Sequence, residues 1–203
     1  MRTQTEPTPA KAGSEAPKDK PIPEVRSERL SLRAFTASDA PILETLINDA
    51  EIAAGTLTIP HPYPAGAAAP WIEGHAAAWQ EGQRITWAIT RRDDSALVGV
   101  LLGAMSLRLT PAHRRGELGY WIARAEWGNG YATEAVRAVI VFAFDEIGLH
   151  RVDAHHFVEN PASGEVMRKA GMRSEGRRRG AVIRDGVPRD LEEYAILSTD
   201  PRA

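Results

Sequence analysis

Leu30-Ser31-Leu32-Arg33-Ala34-Phe35 alternates apolar and polar side chains, the two-residue period of a half-buried strand. The period then lengthens. Asp39 caps a predicted helix near 40–50, and Gly55 ends that region. Residues 56–69 hold Pro60, Pro62, Pro64 and Gly66 and read as a loop. Pro70 suits the start of a helix over 70–81, on which Trp71, His75, Ala78 and Trp79 share one face. Strands are predicted near 84–91, 97–109 and 116–123. In the helix 131–147, Val136, Val139, Ile140, Ala143, Phe144 and Ile147 fall at helical spacing, and Gly148 terminates it. A strand near 150–158, a helix near 161–170 and strands near 172–184 and 189–198 complete the chain.

This order is β-α-α-β-β-β-α-β-α-β-β, about seven strands. An antiparallel meander followed by a βαβ crossover predicts an α/β fold: a mixed, twisted sheet with helices on both faces. Residues 1–24 stand apart. Pro7, Pro9, Pro17, Pro21 and Pro23 alternate with Thr, Ala, Lys and acidic residues, and Ile22 is the one aliphatic side chain beyond Met1 and the alanines. Such a segment buries too little apolar surface to offset its ordering entropy, so 1–24 is predicted to be a disordered tail before a single domain over 25–203. It lacks the apolar region of a secretory signal.

Composition narrows the chemistry. The 203 residues suffice for one domain with a sizeable core. A formal net charge of −2 makes no general case for nucleic acid or an anionic membrane. The apolar block Val139-Ile140-Val141-Phe142-Ala143-Phe144 is far short of the ~18 residues of a membrane span, so a cytoplasmic protein with no membrane partner is expected. Cysteine is absent, which removes disulfides, thiolate metal sites and a cysteinyl acyl-enzyme. No histidine has metal-ligand spacing around it, and no metal is expected.

The segment Glu117-Leu118-Gly119-Tyr120-Trp121-Ile122 reads as a strand. After it, Trp127-Gly128-Asn129-Gly130-Tyr131-Ala132-Thr133-Glu134-Ala135 is a glycine-rich turn opening into the 131–147 helix. Helix-start N–H groups are orphan donors in a positive dipole field, and the two glycines let a ligand approach the backbone. Strand, turn and helix make a cradle for a phosphate or pyrophosphate. A Walker A loop would need Gly-Lys-Ser/Thr, but Tyr131 follows Gly130. A dinucleotide fingerprint would need a third glycine where Thr133 stands.

Gly130-Tyr131-Ala132 resembles the second half of the Gln/Arg-x-x-Gly-x-Gly/Ala acyl-CoA loop of the GNAT N-acetyltransferases. Trp127 departs from its opening residue in a way that resembles the RimJ/RimL branch, which acetylates protein N-terminal amines. Asn160-Pro161-Ala162-Ser163, Met167-Arg168-Lys169-Ala170-Gly171-Met172 and the run from Asp185-Gly186 to Tyr194-Ala195-Ile196-Leu197 are similar to further segments of that branch. The resemblance covers roughly residues 26–198 and is specific at superfamily level. It implies direct transfer of an acetyl group from acetyl-CoA to an amine, such as a protein N-terminus. It also implies a cleft where the strands before and after the glycine-loop helix splay apart. Relatives of this type also modify small amines and antibiotics, and a non-catalytic acyl-CoA-binding module remains an alternative. A homodimer is compatible with all of these.

Acetyl transfer needs a base for the amine and a donor for the leaving thiolate. Glu117 stands where GNAT enzymes often place the base; its structural alternative is a strand carboxylate paired with Arg114 or Arg115. The resemblance implies that Trp127, Gly128, Asn129, Gly130, Tyr131, Ala132 and Thr133 bind the cofactor, together with Asn160, Ser163 and Lys169. It assigns Asn160 to the pantetheine and Ser163 to protonation of the thiolate. Asn-Pro followed by Ser is equally an ordinary helix entry with capping groups. Tyr194 is a spare acid or a core residue. His155 and His156 fall on opposite faces of one strand. Trp71 and Trp79 are candidates for lining the acceptor side. Arg173, Arg177, Arg178, Arg179, Arg184 and Arg189 are interspersed with Glu175, Asp185 and Asp190 and lack interleaved aromatics. They read as solvated hairpin faces rather than a nucleic-acid site, with contact to the CoA 3′-phosphate as a middle option.

Overall fold

Eight strands form one sheet in the computed structural model, which describes residues 21–92 and 99–202. The strands are β1 (Val25–Arg26), β2 (Leu30–Arg33), β3 (Arg84–Arg91), β4 (Leu101–Thr110), β5 (Arg115–Ile122), β6 (Arg151–Phe157), β7 (Arg173–Arg184) and β8 (Val187–Leu197). The helices are α1 (Ala40–Ile47), α2 (Ala50–Ala54), α3 (Ala68–Gln80), α4 (Tyr131–Asp145) and α5 (Pro161–Lys169). Spatial order is β1-β2-β3-β4-β5-β6-β8-β7. Every neighbouring pair is antiparallel except β5–β6, which α4 joins in parallel.

Alternation along the strands divides the core in two. One face of the sheet carries Leu30, Leu32, Ile85, Trp87, Leu107, Leu118, Val152 and Ala154 against α4 and α5. Trp87 is fully buried and meets the edge of Phe142 at 5.8 Å. The other face carries Ala88, Ala104 and Trp121 against Leu43, Ile47, Ile52 and Ile72 of α1, α2 and α3. Arg33 joins β2 to the entry of α1 through two hydrogen bonds of 2.8 Å to the Asp39 carboxylate, which also accepts from the Thr36 backbone at 2.7 Å. Burial works to raise the Asp39 pKa, but these donors outweigh it and hold the group below its ordinary value.

Three details depart from the pattern reading. The helix near 40–50 breaks at Asn48, whose ψ of 56° leaves the helical region; Asp49 then restarts the chain as the cap of α2, accepting from the N–H groups of Glu51 and Ile52. Asn48 Oδ1 meanwhile accepts from the Tyr63 N–H at 2.9 Å and ties down the proline-rich loop. Helix α3 begins at Ala68, so Pro70 sits within its first turn, where its missing N–H has no helical carbonyl to meet. The eighth strand is β1, two residues long and too short to show a period.

The start of the folded part also moves. Residues 1–20 of the expected tail lie outside the described residues, but Ile22 packs on the larger core and the Trp87 indole N–H donates to the Pro23 carbonyl at 2.7 Å. Glu24 accepts from Arg26 and from Ser31. Truncations that remove 1–20 and 1–24 are therefore expected to differ in stability in urea. Deleting 1–24 orphans a buried indole donor and is expected to cost about 1–3 kcal/mol. Equal unfolding curves for the two truncations would show that the Pro23 contact contributes nothing.

Candidate active site

The site begins where two parallel strands part. β5 and β6 pair only at Arg115↔Arg151, Gly116↔Val152 and Glu117↔Asp153. Beyond that point β5 stays with β4 as far as Gly103↔Ile122, while β6 stays with β8 as far as Phe157↔Leu191. A wedge opens between them, closed over by the start of α5. The splay implied by the resemblance is present as register.

At the mouth of the wedge lies the glycine turn. Gly128 and Gly130 have φ of 81° and 79°, in the left-handed region that glycine enters without a Cβ penalty. A Cβ on Gly128 would meet nothing within 4 Å, so its outer side is open. Gly130 is the N-cap of α4 and offers no side-chain cap to the amides of the first turn, those of Tyr131, Ala132 and Thr133. Trp127 is half-exposed, and its indole N–H donates to the Ile122 carbonyl at 2.7 Å, fixing the turn to the end of β5. Asn129 is held by its amide on the Glu126 carbonyl and by its own carbonyl, which accepts from Arg29.

Glu134 is the one acidic side chain of the first turn. It is turned aside, accepting from the Arg29 N–H, the Arg29 guanidinium and the Ser27 hydroxyl, each at 2.7 Å. Burial pushes its pKa up, yet these three donors prevail and leave it below the usual carboxylate value. Arg29 also lies over the Tyr131 ring at 4.8 Å. A groove of about 1100 Å³ runs along the outer side of α4, and Gly130, Thr133 and Lys169 all line it. Of the residues expected to hold a cofactor, Gly130, Thr133 and Lys169 share this groove, and the free helix start at Gly130 is an arrangement that fits a pyrophosphate.

The other candidates sit at the wedge itself. Ser163, in the first turn of α5, has its hydroxyl 2.8 Å from the Tyr120 hydroxyl of β5. Tyr120 also reaches the Ser163 carbonyl at 3.2 Å. Burial pushes the Tyr120 phenol up to about 12, with the Ser163 bond acting in the opposite sense. Sequence reasoning missed Tyr120, because strand alternation gives its face but not the helix it meets. Asn160 caps α5, its Oδ1 accepting from the Ser163 N–H at 3.3 Å, while its amide N–H donates to the Gly55 carbonyl at 3.3 Å. Both ends of that side chain are engaged within the protein.

Glu117 faces the opposite side of the sheet, the side of Trp121 and α1–α3. Its partner is Arg108 of β4 at 2.6 Å, set by the register Arg108↔Glu117, rather than Arg114 or Arg115; Arg115 instead pairs with Asp153. His155 Nδ1 lies 3.9 Å from the same Glu117 oxygen. His156, on the other face, packs under Gly164 of α5 so closely that a Cβ there would collide with its ring. Tyr194 tilts against His156 at 5.6 Å and packs on the larger core.

Of the two tryptophans on α3, Trp79 is 7% exposed within the larger core, which corrects its expected place on the acceptor side. Trp71 is 37% exposed and meets Phe35 at 5.3 Å and His75 at 4.3 Å in edge-to-face contacts. Burial, and secondarily Arg84, pushes His75 down to about 4, so it is neutral at physiological pH. The hairpin arginines are largely spoken for: Arg177 by Glu192, Arg178 by Glu193 and Arg173 by Asp200. Among the described residues no three His, Asp or Glu side chains gather as a metal would require, and no helix is long and apolar enough to cross a membrane.

Known proteins bear on this geometry. Residues 29–173 match the family described as acetyltransferase (GNAT) domain. The uncharacterized N-acetyltransferase YoaA of Bacillus subtilis (strain 168) is 33% identical over 176 residues, spanning 87% of this chain and 97% of that protein. The putative ribosomal N-acetyltransferase YdaF of the same organism is 37% identical over 103 residues, 50% of this chain and 56% of that protein. The solved structure of RimL, described as a ribosomal L7/L12 alpha-N-protein acetyltransferase in complex with coenzyme A, superposes with a TM-score of 0.76 at 21% identity, covering 86% of this chain and 98% of that one. This chain belongs to the GNAT acetyltransferase family and is an N-acetyltransferase of that family.

Proposed function

We propose that the acceptor is the α-amine of a protein or peptide N-terminus. The observation behind this reading is the placement of Glu117 and Ser163 on opposite faces of the sheet at the same wedge. Amides of Gly128 to Thr133 hold the pyrophosphate, and the acyl arm enters between β5 and β6. The amine approaches from the Glu117 face, beside α1–α3, and loses its proton toward Glu117. Ser163, on the other face, meets the departing sulfur. Arg108 occupies one carboxylate oxygen, which leaves the other to take the proton, directly or through water. A free α-amine with a pKa of about 7.7 suits so restrained a base, whereas lysine at about 10.4 does not. The likeness to RimL and YdaF supports the same class of acceptor.

The proline-rich loop before α3 supports an extended substrate. Arg184 of the β7–β8 hairpin holds it through the Ile59 carbonyl at 3.1 Å, and Asn48 through Tyr63. The half-exposed Trp71 stands at the same end of α3.

Three outcomes are expected. Incubated with acetyl-CoA and a panel of peptides, polyamines, aminoglycosides and free amino acids, the protein should acetylate peptide α-amines ahead of lysine side chains, as located by mass-spectrometric fragmentation. Turnover confined to small amines would sink the N-terminal assignment and leave the acetyltransferase. Glu117→Gln should lower turnover about 10²-fold at pH 6–7, less as pH rises and the amine deprotonates unaided, with acetyl-CoA affinity unchanged. A loss independent of pH would make Glu117 structural. Gly130→Val places a branched side chain at φ 79°, where strain costs about 1–3 kcal/mol, and closes the cradle. Calorimetry should show acetyl-CoA binding reduced at least about 100-fold in the folded variant; an unchanged affinity refutes the cradle.

A further inference from the structure

We propose that Tyr120 and Ser163 act as a two-hydroxyl relay, in which Ser163 gives its proton to the leaving sulfur and is resupplied by Tyr120. The proposal rests on the acetyl-transfer reading above and assigns a positioning and proton-supplying role to a residue outside it.

Geometry comes first. The Tyr120 hydroxyl has two acceptors within reach, Ser163 Oγ at 2.8 Å and the Ser163 carbonyl at 3.2 Å, and the shorter contact is to Oγ. When Tyr120 donates to Oγ, the serine proton is released to point elsewhere, and the wedge lies beside it. The contact spans the gap between β5 and the start of α5. Ser163 is fixed from behind as well. Its N–H donates to Asn160 Oδ1, and Asn160 is in turn anchored on the Gly55 carbonyl. These bonds anchor the backbone that carries Ser163, and the Tyr120 contact is the one that orients its hydroxyl.

Chemistry makes the second hydroxyl useful. A lone serine that protonates a thiolate is left as an alkoxide, an anion about as basic as hydroxide, whose parent water has a pKa of about 15.7. A thiol is near 8.5, so that transfer runs uphill by roughly seven pKa units. Drawing the charge through to a phenol reduces the climb. Even with Tyr120 at about 12, the gap falls to about half. The same burial keeps Tyr120 fully protonated at physiological pH, so the relay is loaded before each turnover.

The step balances as follows. The amine nitrogen bonds to the thioester carbon, and the C–S bond breaks with its electron pair going to sulfur. Sulfur takes the Ser163 proton while Ser163 Oγ takes the Tyr120 proton. The phenolate regains a proton from solvent, and the surplus amine proton leaves through Glu117. No redox partner is needed.

The test uses the full chain, acetyl-CoA and a peptide beginning Ala-Ser, or the best acceptor of the panel above, in single-turnover mode. Tyr120→Phe and Ser163→Ala should each slow the acyl-transfer step about 10- to 100-fold while acetyl-CoA affinity stays within twofold. The double variant should be no slower than Ser163→Ala, because both changes break one relay. The wild-type rate in H₂O–D₂O mixtures should curve downward with deuterium fraction, as two protons moving together require; this readout stands even where Tyr120→Phe fails to fold. Multiplicative losses in the double variant, a linear dependence on deuterium, or full activity of Tyr120→Phe would each overturn the relay and leave the acetyltransferase reading intact. A wild type that binds acetyl-CoA and acetylates no amine would overturn that reading, and the relay with it.

Discussion

Everything at this site depends on β5 and β6 ceasing to pair after Glu117↔Asp153. Each strand keeps its outer neighbour, so the sheet does not come apart; it opens along one seam. Backbone groups lining such a seam require partners, and buried ones left without them are costly. An acyl-CoA arm, itself a chain of amides, can supply these partners as it enters. The wedge therefore offers such an arm backbone groups of β5 and β6 that the two strands do not pair with each other. Tyr120 and Ser163 cross the seam within the protein itself, so the contact that ties β5 to the start of α5 is also the one on which the proposed relay rests.

The helix that fills the crossover sets the electrostatics. α4 starts at the wedge mouth with uncapped amides and the positive end of its dipole. An acidic side chain in that turn normally stabilises a helix but would repel a phosphate. Glu134 avoids the conflict, because Ser27 and Arg29 draw it toward the β1–β2 turn. One carboxylate thus fastens the first hairpin to the helix and leaves the amides to the ligand. The cation over Tyr131 adds to the positive field without occupying it.

Local patterns made much of this legible. α4 was readable because its apolar spacing runs for four turns, and the turn before it because Gly128 and Gly130 take the left-handed φ that glycine permits. β4 and β5 were readable as strands, but not their register to the residue, and the partner of Glu117 follows from register alone: Arg108, nine positions back, rather than the adjacent Arg114 or Arg115. Trp79 illustrates a second limit. Helical spacing placed it beside Trp71 and His75, yet a step along the helix turns it into the core, and composition cannot say where a face ends. Tyr120 illustrates a third. It is an ordinary strand tyrosine until the chain returns with α5, 43 residues later, to meet its hydroxyl. Pro23 and Ile22 belong with it, since proline and charge dominate their neighbourhood in sequence while Trp87 supplies the contact in space.

The face of the sheet that carries Glu117 is ordered by charge. Arg108, Glu117 and His155 form one group, and Arg115, Asp153, Arg151 and Glu175 form a second along the adjoining strands. Signs alternate, so an approaching ammonium meets no broad attractive field, and steering by net charge is weak. Selection is left to short range. At Glu117 an incoming amine competes with Arg108 for the carboxylate, and a permanently charged guanidinium at 2.6 Å is a strong rival to a cation. A neutral amine has no such contest, because it needs only a lone pair free for the thioester and a path to the carboxylate, direct or through water. Under the proposed role of Glu117 the arrangement would favour acceptors that shed their proton near neutral pH, by withholding charge compensation from those that do not.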